Sequence, residues 1–178
     1  MDTPRKYSPV AMALHWLVAA LVLYSIFLPP EPGDVAPEVA AQITAVHIGL
    51  GLIIIVLMIL RAFWRAGHHA PPLPDDLATW ERRAARWSHW LLYLVVFLMI
   101  GFGLLTALFA PYPASGFGLV PVAGFITVDA GTFEVVKEIH HTGNKLLQAV
   151  VYLHIAAALY HHFIKKNGVL KSMVPFWN

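Results

Sequence analysis

Residues 140–164 read HHTGNKLLQAVVYLHIAAALYHHFI. These 25 residues contain one lysine and no carboxylate, and a helix needs about 20 mostly apolar residues to cross a bilayer. The run nevertheless carries His140, His141, His154, His161 and His162. An ionisable side chain in hydrocarbon is costly, which makes it a functional candidate. His140 and His154 are fourteen residues apart. On a helix that is about 21 Å of rise and close to four whole turns, so both imidazoles share one face. His161 follows seven residues later near the same stripe, whereas His141 and His162 point about 100° away.

Three more runs have the same character. Val10–Leu28 ends at Pro29 and Pro30, Ala41–Trp64 carries arginine only at its far end, and Trp87–Phe109 stops before Pro111. Each exceeds strand length, and none alternates with the period of two that a membrane barrel requires. All four therefore read as helices, and they bring His15, His47 and His89 into hydrocarbon as well. The expected fold is all-α: an integral membrane four-helix bundle, with residues 1–178 as one domain. Arg5 and Lys6 ahead of the first run look like the start of a signal peptide. That run is span-length, lacks a small-residue cleavage site and carries His15, so it reads as a retained helix.

Composition agrees. The chain is 58% hydrophobic and 12% charged, against roughly a quarter charged in soluble domains. It has no cysteine, which excludes disulfides, iron–sulfur clusters and covalent heme attachment. A net charge of +2 gives no support to a nucleic-acid partner.

Positive charge sets the expected topology. Arg5 and Lys6 precede the first run, Arg61, Arg65, Arg82, Arg83 and Arg86 flank the second connection, and Lys165, Lys166 and Lys171 follow the last run. Ten of the twelve Lys and Arg residues thus share one side, leaving Lys137 and Lys145 near the other. The positive-inside rule makes both termini and the middle connection cytoplasmic. The outer side collects Glu31, Asp34, Glu38, Asp129, Glu134 and Glu138. Between the second and third spans, 75–86 reads as a short amphipathic cytoplasmic helix capped by Asp75 or Asp76, with Trp80 at the interface. The segment 110–136 is too apolar for a freely solvated loop. Its Phe117, Leu119, Val120, Val122, Phe125 and Ile126 are expected to fold onto the outer face, as a lipid-facing lid or as a cover over an outer active site.

Placed by depth, the histidines fall at two levels. His47 and His140 lie near the outer ends of their helices; His15 and His154 lie deeper towards the cytoplasm, with His89 a competitor for that inner level. A b-type heme with two axial histidines takes imidazoles from opposing helices at one depth, so the chain suits two non-covalent b-type hemes between the helices, held by His47 with His140 and by His15 with His154. Zinc would want its ligands clustered at a single level. Gly49, Gly51 and Gly143 permit a close approach to a flat macrocycle, although small residues also serve ordinary helix packing. Arg61 and Arg65 suit heme propionates or interfacial anchoring. His68 and His69 read as solvated.

With these features the chain resembles the bacterial cytochrome b561 family over essentially its whole length. The resemblance is carried by Tyr7-Ser8 followed by His15-Trp16, by His47 with Gly49, and by Lys137-Glu138-Ile139-His140 leading to Leu153-His154-Ile155-Ala156-Ala157-Ala158 and His161-His162. It implies a four-helix di-heme membrane cytochrome with the same ligand pairs. Within the family the similarity is strongest to the superoxide oxidase type, which implies electron transfer from superoxide to ubiquinone. Histidine at position 141 is a departure, and helical phase favours His140 as the ligand.

Two functional expectations follow. The first is a superoxide:ubiquinone oxidoreductase. Lys137, one turn before His140, would steer the anion, and His89 and His161 would offer hydrogen bonds to a quinone near the inner level. The alternative is an electron-carrier subunit serving a partner dehydrogenase or other redox protein. A heme-free transporter is disfavoured, since the spans carry no carboxylate for ion coupling.

Overall fold

In the computed structural model, residues 6–177 are described apart from 28, 31, 75 and 124. Arg5, the first span's end at Leu28, Glu31 and the suggested cap Asp75 therefore lie outside the described residues. Four helices follow one another: α1 (Pro9–Phe27), α2 (Pro37–Gly67), α3 (Thr79–Leu108) and α4 (Ala130–Phe163). Among the described residues these four are long and apolar enough to cross a membrane. The only other regular elements described are two single 3₁₀ turns and a pair of two-residue antiparallel strands, β1 (Ser115–Gly116) and β2 (Val120–Pro121).

Local chemistry sets the helix starts. Ser8 caps α1 by accepting from the Ala11 N–H at 3.3 Å. Pro37 opens α2, where its missing N–H costs nothing. The Glu81 carboxylate reaches back to the Ala78 N–H at 2.8 Å and starts α3. Asp129 accepts from the Thr132 N–H at 3.0 Å and starts α4, and the Thr132 hydroxyl and N–H hold this carboxyl below the ordinary aspartate range. Two caps differ from the boundaries expected from hydropathy. The amphipathic segment 75–86 is not a separate helix: from Thr79 onward it is the first turns of α3. Helix α4 begins ten residues before His140. In both cases a charged extension continues an apolar span without a break, because a capping carboxylate starts the helix in the polar zone.

The closely packed helix pairs are α3 with α4, α1 with α2 and α2 with α3. Every helix contributes to one core: Val18 and Val22 from α1, Ile54 and Met58 from α2, Val95 and Val96 from α3, Leu147 from α4. Both chain ends meet at one end of the bundle. There the Tyr7 N–H donates to the Ser172 carbonyl at 3.0 Å, the Trp16 indole N–H to the Met173 carbonyl at 2.8 Å, and Lys6 Nζ to the Pro175 carbonyl at 3.1 Å. This is the terminal end of the bundle; the opposite end, with the α1–α2 and α3–α4 connections, is the loop end.

Candidate functional site

The core marks the middle of the site. Leu147 is seven residues from His140 and seven from His154, and Ile54 is seven beyond His47. Seven residues is about 10 Å of helix, so an apolar layer separates a histidine level near the loop end from one near the terminal end. At the first level the rings of His47 (α2) and His140 (α4) lie edge-on to each other, centroids 6.0 Å apart and planes 76° apart. At the second, His15 (α1) and His154 (α4) are arranged likewise at 6.3 Å and 70°, and His89 (α3) lies 5.7 Å from His154. Two imidazoles on opposite sides of one metal atom, each bonded at about 2.0 Å, place their centroids about 6 Å apart. The residues present therefore fit an iron held between two histidines at each level.

Further detail favours His140 over its neighbour. His140 Nδ1 lies 3.0 Å from the Met99 carbonyl. A donated Nδ1–H leaves the Nε2 lone pair free for a metal and fixes the ring's orientation. Helix α3 comes close enough for this bond because Gly103 has no side chain: a Cβ there would lie 2.8 Å from His140 Cε1. One turn away, Met99 fills the space over Gly143, where a Cβ would lie 2.6 Å from its Sδ. His141 is exposed. The role of Gly103 was not read from the sequence; a glycine in α3 in depth register with a histidine in α4 was the available signal.

The loop end carries a short hairpin. The strands β1 and β2 enclose a turn in which Phe117 (φ 52°) and Gly118 (φ 72°) both have positive φ. For a phenylalanine that conformation is unfavourable, and two contacts hold it. The Phe117 N–H donates to the Ala45 carbonyl at 2.8 Å, and its ring lies on Gly49, where any Cβ would collide with it. The hairpin thus sits on α2 beside His47. Gly51, by contrast, has open space where a Cβ would stand: among the described residues nothing outside its own helix lies within 4 Å. Lys137 is engaged: its Nζ pairs with Glu134 at 2.9 Å.

The terminal end is cationic. A cavity of about 550 Å³ is lined by Lys6, Arg61, Arg65, His89 and Tyr93 among others. Arg61 follows His47 by fourteen residues, so it repeats that residue's face at the level near the terminal end, and its guanidinium lies 5.8 Å from the Tyr93 ring. His68 stacks on Trp64 at 3.8 Å. Further along the α3–α4 seam, Lys165 pairs at 3.1 Å with Glu81, the buried charged side chain among the described residues. That bond raises the Lys165 ammonium above the ordinary lysine range. His161 lies in this region, beside Asn167 at 3.2 Å. The two quinone candidates are thus at different depths: His89 beside His154, and His161 two turns past it.

Fold and site together define a four-helix membrane protein with facing histidines at two depths. The family model of prokaryotic cytochrome b561 matches residues 6–176, and the chain belongs to that family. It is a membrane electron-transfer cytochrome of oxidoreductase type, with b-type heme as its cofactor. Among its relatives is the probable superoxide oxidase CybB of Yersinia pestis, 27% identical over 96% of this chain and 97% of that protein. Cytochrome b561 homolog 2 of Escherichia coli strain K12 is 28% identical over 97% and 93%, and cytochrome b561 homolog 1 of the same strain is 24% identical over 96% and 97%.

Proposed function

We propose that this chain is a di-heme superoxide:ubiquinone oxidoreductase of the bacterial inner membrane, with the loop end outside and both termini cytoplasmic. The observation that carries the reading is the pair of facing histidine couples, His47 with His140 and His15 with His154, at 6.0 and 6.3 Å on opposite sides of the apolar layer. These four residues would hold two hemes, which when bound supply one-electron carriers at both depths. Two superoxide anions lose one electron each and leave as two O₂; one ubiquinone takes two electrons and two protons and leaves as ubiquinol. The relative named as a probable superoxide oxidase supports the donor half of this reaction.

The protein's own groups divide the remaining work. Met99 orients His140. Arg61 and Arg65 bring positive charge to the inner level, where heme carboxylates would need it. His161 and His89 offer hydrogen bonds to the quinone. Lys137 attracts the superoxide anion, moderated by its partner Glu134. A second reading, an electron carrier that docks a redox partner, draws support from the loop end, where Leu119 is 83% and Phe125 70% exposed.

Stopped-flow absorbance of the oxidised protein mixed with superoxide separates the two. Fast appearance of reduced b-type bands, discharged by ubiquinone, is expected. Bands that form only with dithionite would leave the carrier reading standing and remove the superoxide chemistry.

A further inference from the structure

The turn that ends α4 brings a side-chain amide against the His161 ring. Lys166 has positive φ (54°) and folds the chain back, so that the Asn167 N–H donates to the His161 carbonyl at 3.1 Å. The side chain of Asn167 then makes three contacts. Its Oδ1 accepts from the Val169 N–H at 3.4 Å. Its Nδ2 lies 3.4 Å from Asp76 Oδ2 and 3.2 Å from His161 Nδ1. These contacts are mutually consistent in one amide orientation: the oxygen faces a donor, and the two N–H groups face a carboxylate and a ring nitrogen. A neutral imidazole that accepts at Nδ1 carries its proton on Nε2. Lys165, two residues before Asn167, is pinned to α3 by the buried Glu81 carboxylate, so the segment carrying Asn167 is anchored on both helices of the seam.

We propose that Asn167 is a positioning residue for quinone reduction. By donating to Nδ1 it fixes His161 as the Nε2–H tautomer, and that N–H is the donor offered to a carbonyl oxygen of the quinone. This rests on the reading of His161 as a quinone ligand. Asp76 fixes the amide in turn, which extends the device from α4 to the start of α3.

The test uses full-length holoprotein carrying ¹⁵N-histidine in lipid nanodiscs, with unchanged heme absorbance as the sign of an intact bundle. Nitrogen shifts report the His161 tautomer, and steady-state kinetics with ubiquinone report KM and kcat separately. In Asn167→Ala the Nε2–H tautomer should give way to a mixture, and the ubiquinone KM should rise several-fold with the superoxide-driven reduction rate unchanged. His161→Gln places an amide N–H near the Nε2 position; in that background Asn167→Ala should have no further effect on KM. A tautomer that is unchanged in Asn167→Ala overturns the inference. A changed tautomer with unchanged quinone kinetics removes His161 from the quinone site, and the positioning role with it.

Discussion

The two histidine levels are built differently. Near the loop end one partner faces another: His47 meets His140, the latter is oriented by the Met99 carbonyl, Gly103 admits its ring, and the Phe117 hairpin lies alongside. Near the terminal end His154 has two histidines in reach, His15 and His89, beside a cationic cavity and, among the described residues, no such hairpin. In the proposed reaction the first level, with the hairpin beside it, would receive the small anion, and the second, broader and positively charged, would pass electrons to the larger acceptor.

Removing a ligand should have the largest effect and tests the comparison directly. His140→Ala should lose roughly half of the b-type absorbance, one of two sites, together with reduction by superoxide. His154→Ala should lose the other half while the first superoxide-driven reduction survives. At the level near the terminal end the packing distinguishes the two candidate partners. Helices α3 and α4 are a closely packed pair, and α1 with α4 is not, so a flat macrocycle fits more readily between His15 and His154. His15→Ala should therefore lose the inner heme and His89→Ala retain it. Heme content per protein, measured by the pyridine hemochrome, decides; the reverse result would move the inner pair to His89 and His154.

The hairpin gives a smaller effect. Phe117→Ala removes the ring that rests on Gly49 beside His47. Reoxidation of the reduced protein by a bulky hydrophilic oxidant such as ferricyanide should become a few-fold faster, with heme content unchanged. Gly49→Ala, which displaces the same ring, should act in the same direction. Unaltered rates in both variants would make the hairpin a lipid-facing element and erase that part of the difference between the two ends.

Much of this was legible in the sequence, because it depends on period and cost. Fourteen residues between His140 and His154 fix a common face whatever surrounds them, and histidine in an apolar run is conspicuous. Helix ends were less legible. Hydropathy reports where hydrocarbon begins, whereas α3 and α4 start at capping carboxylates, Glu81 and Asp129, several residues earlier. Contacts that depend on the neighbour's identity were not legible at all. Gly103 opposite His140, Phe117 on Gly49 and Asn167 on His161 each join positions whose proximity only the packed helices and turns create. His89 and His161, alike in the sequence as inner histidines, separate into two environments for the same reason.

The smallest effect concerns the charge at the loop end, and there two variants should move in opposite directions. Lys137 is exposed and bound to Glu134 at 2.9 Å, so its field on an approaching anion is partly cancelled. Lys137→Glu reverses the sign beside the outer pair and should lower the second-order rate with superoxide a few-fold at low ionic strength. Glu134→Gln releases the ammonium from its partner and should raise that rate by a smaller factor. Both differences should shrink towards 1 M salt, where the screening length falls to about 3 Å. A contact role for Lys137 at the reacting centre predicts something else: a loss in Lys137→Glu that persists at high salt, and no gain in Glu134→Gln. Stopped-flow rates of both variants across a salt series therefore separate steering from contact, and rates equal to those of the unaltered protein would leave the pair as an ordinary ion pair on the surface of α4.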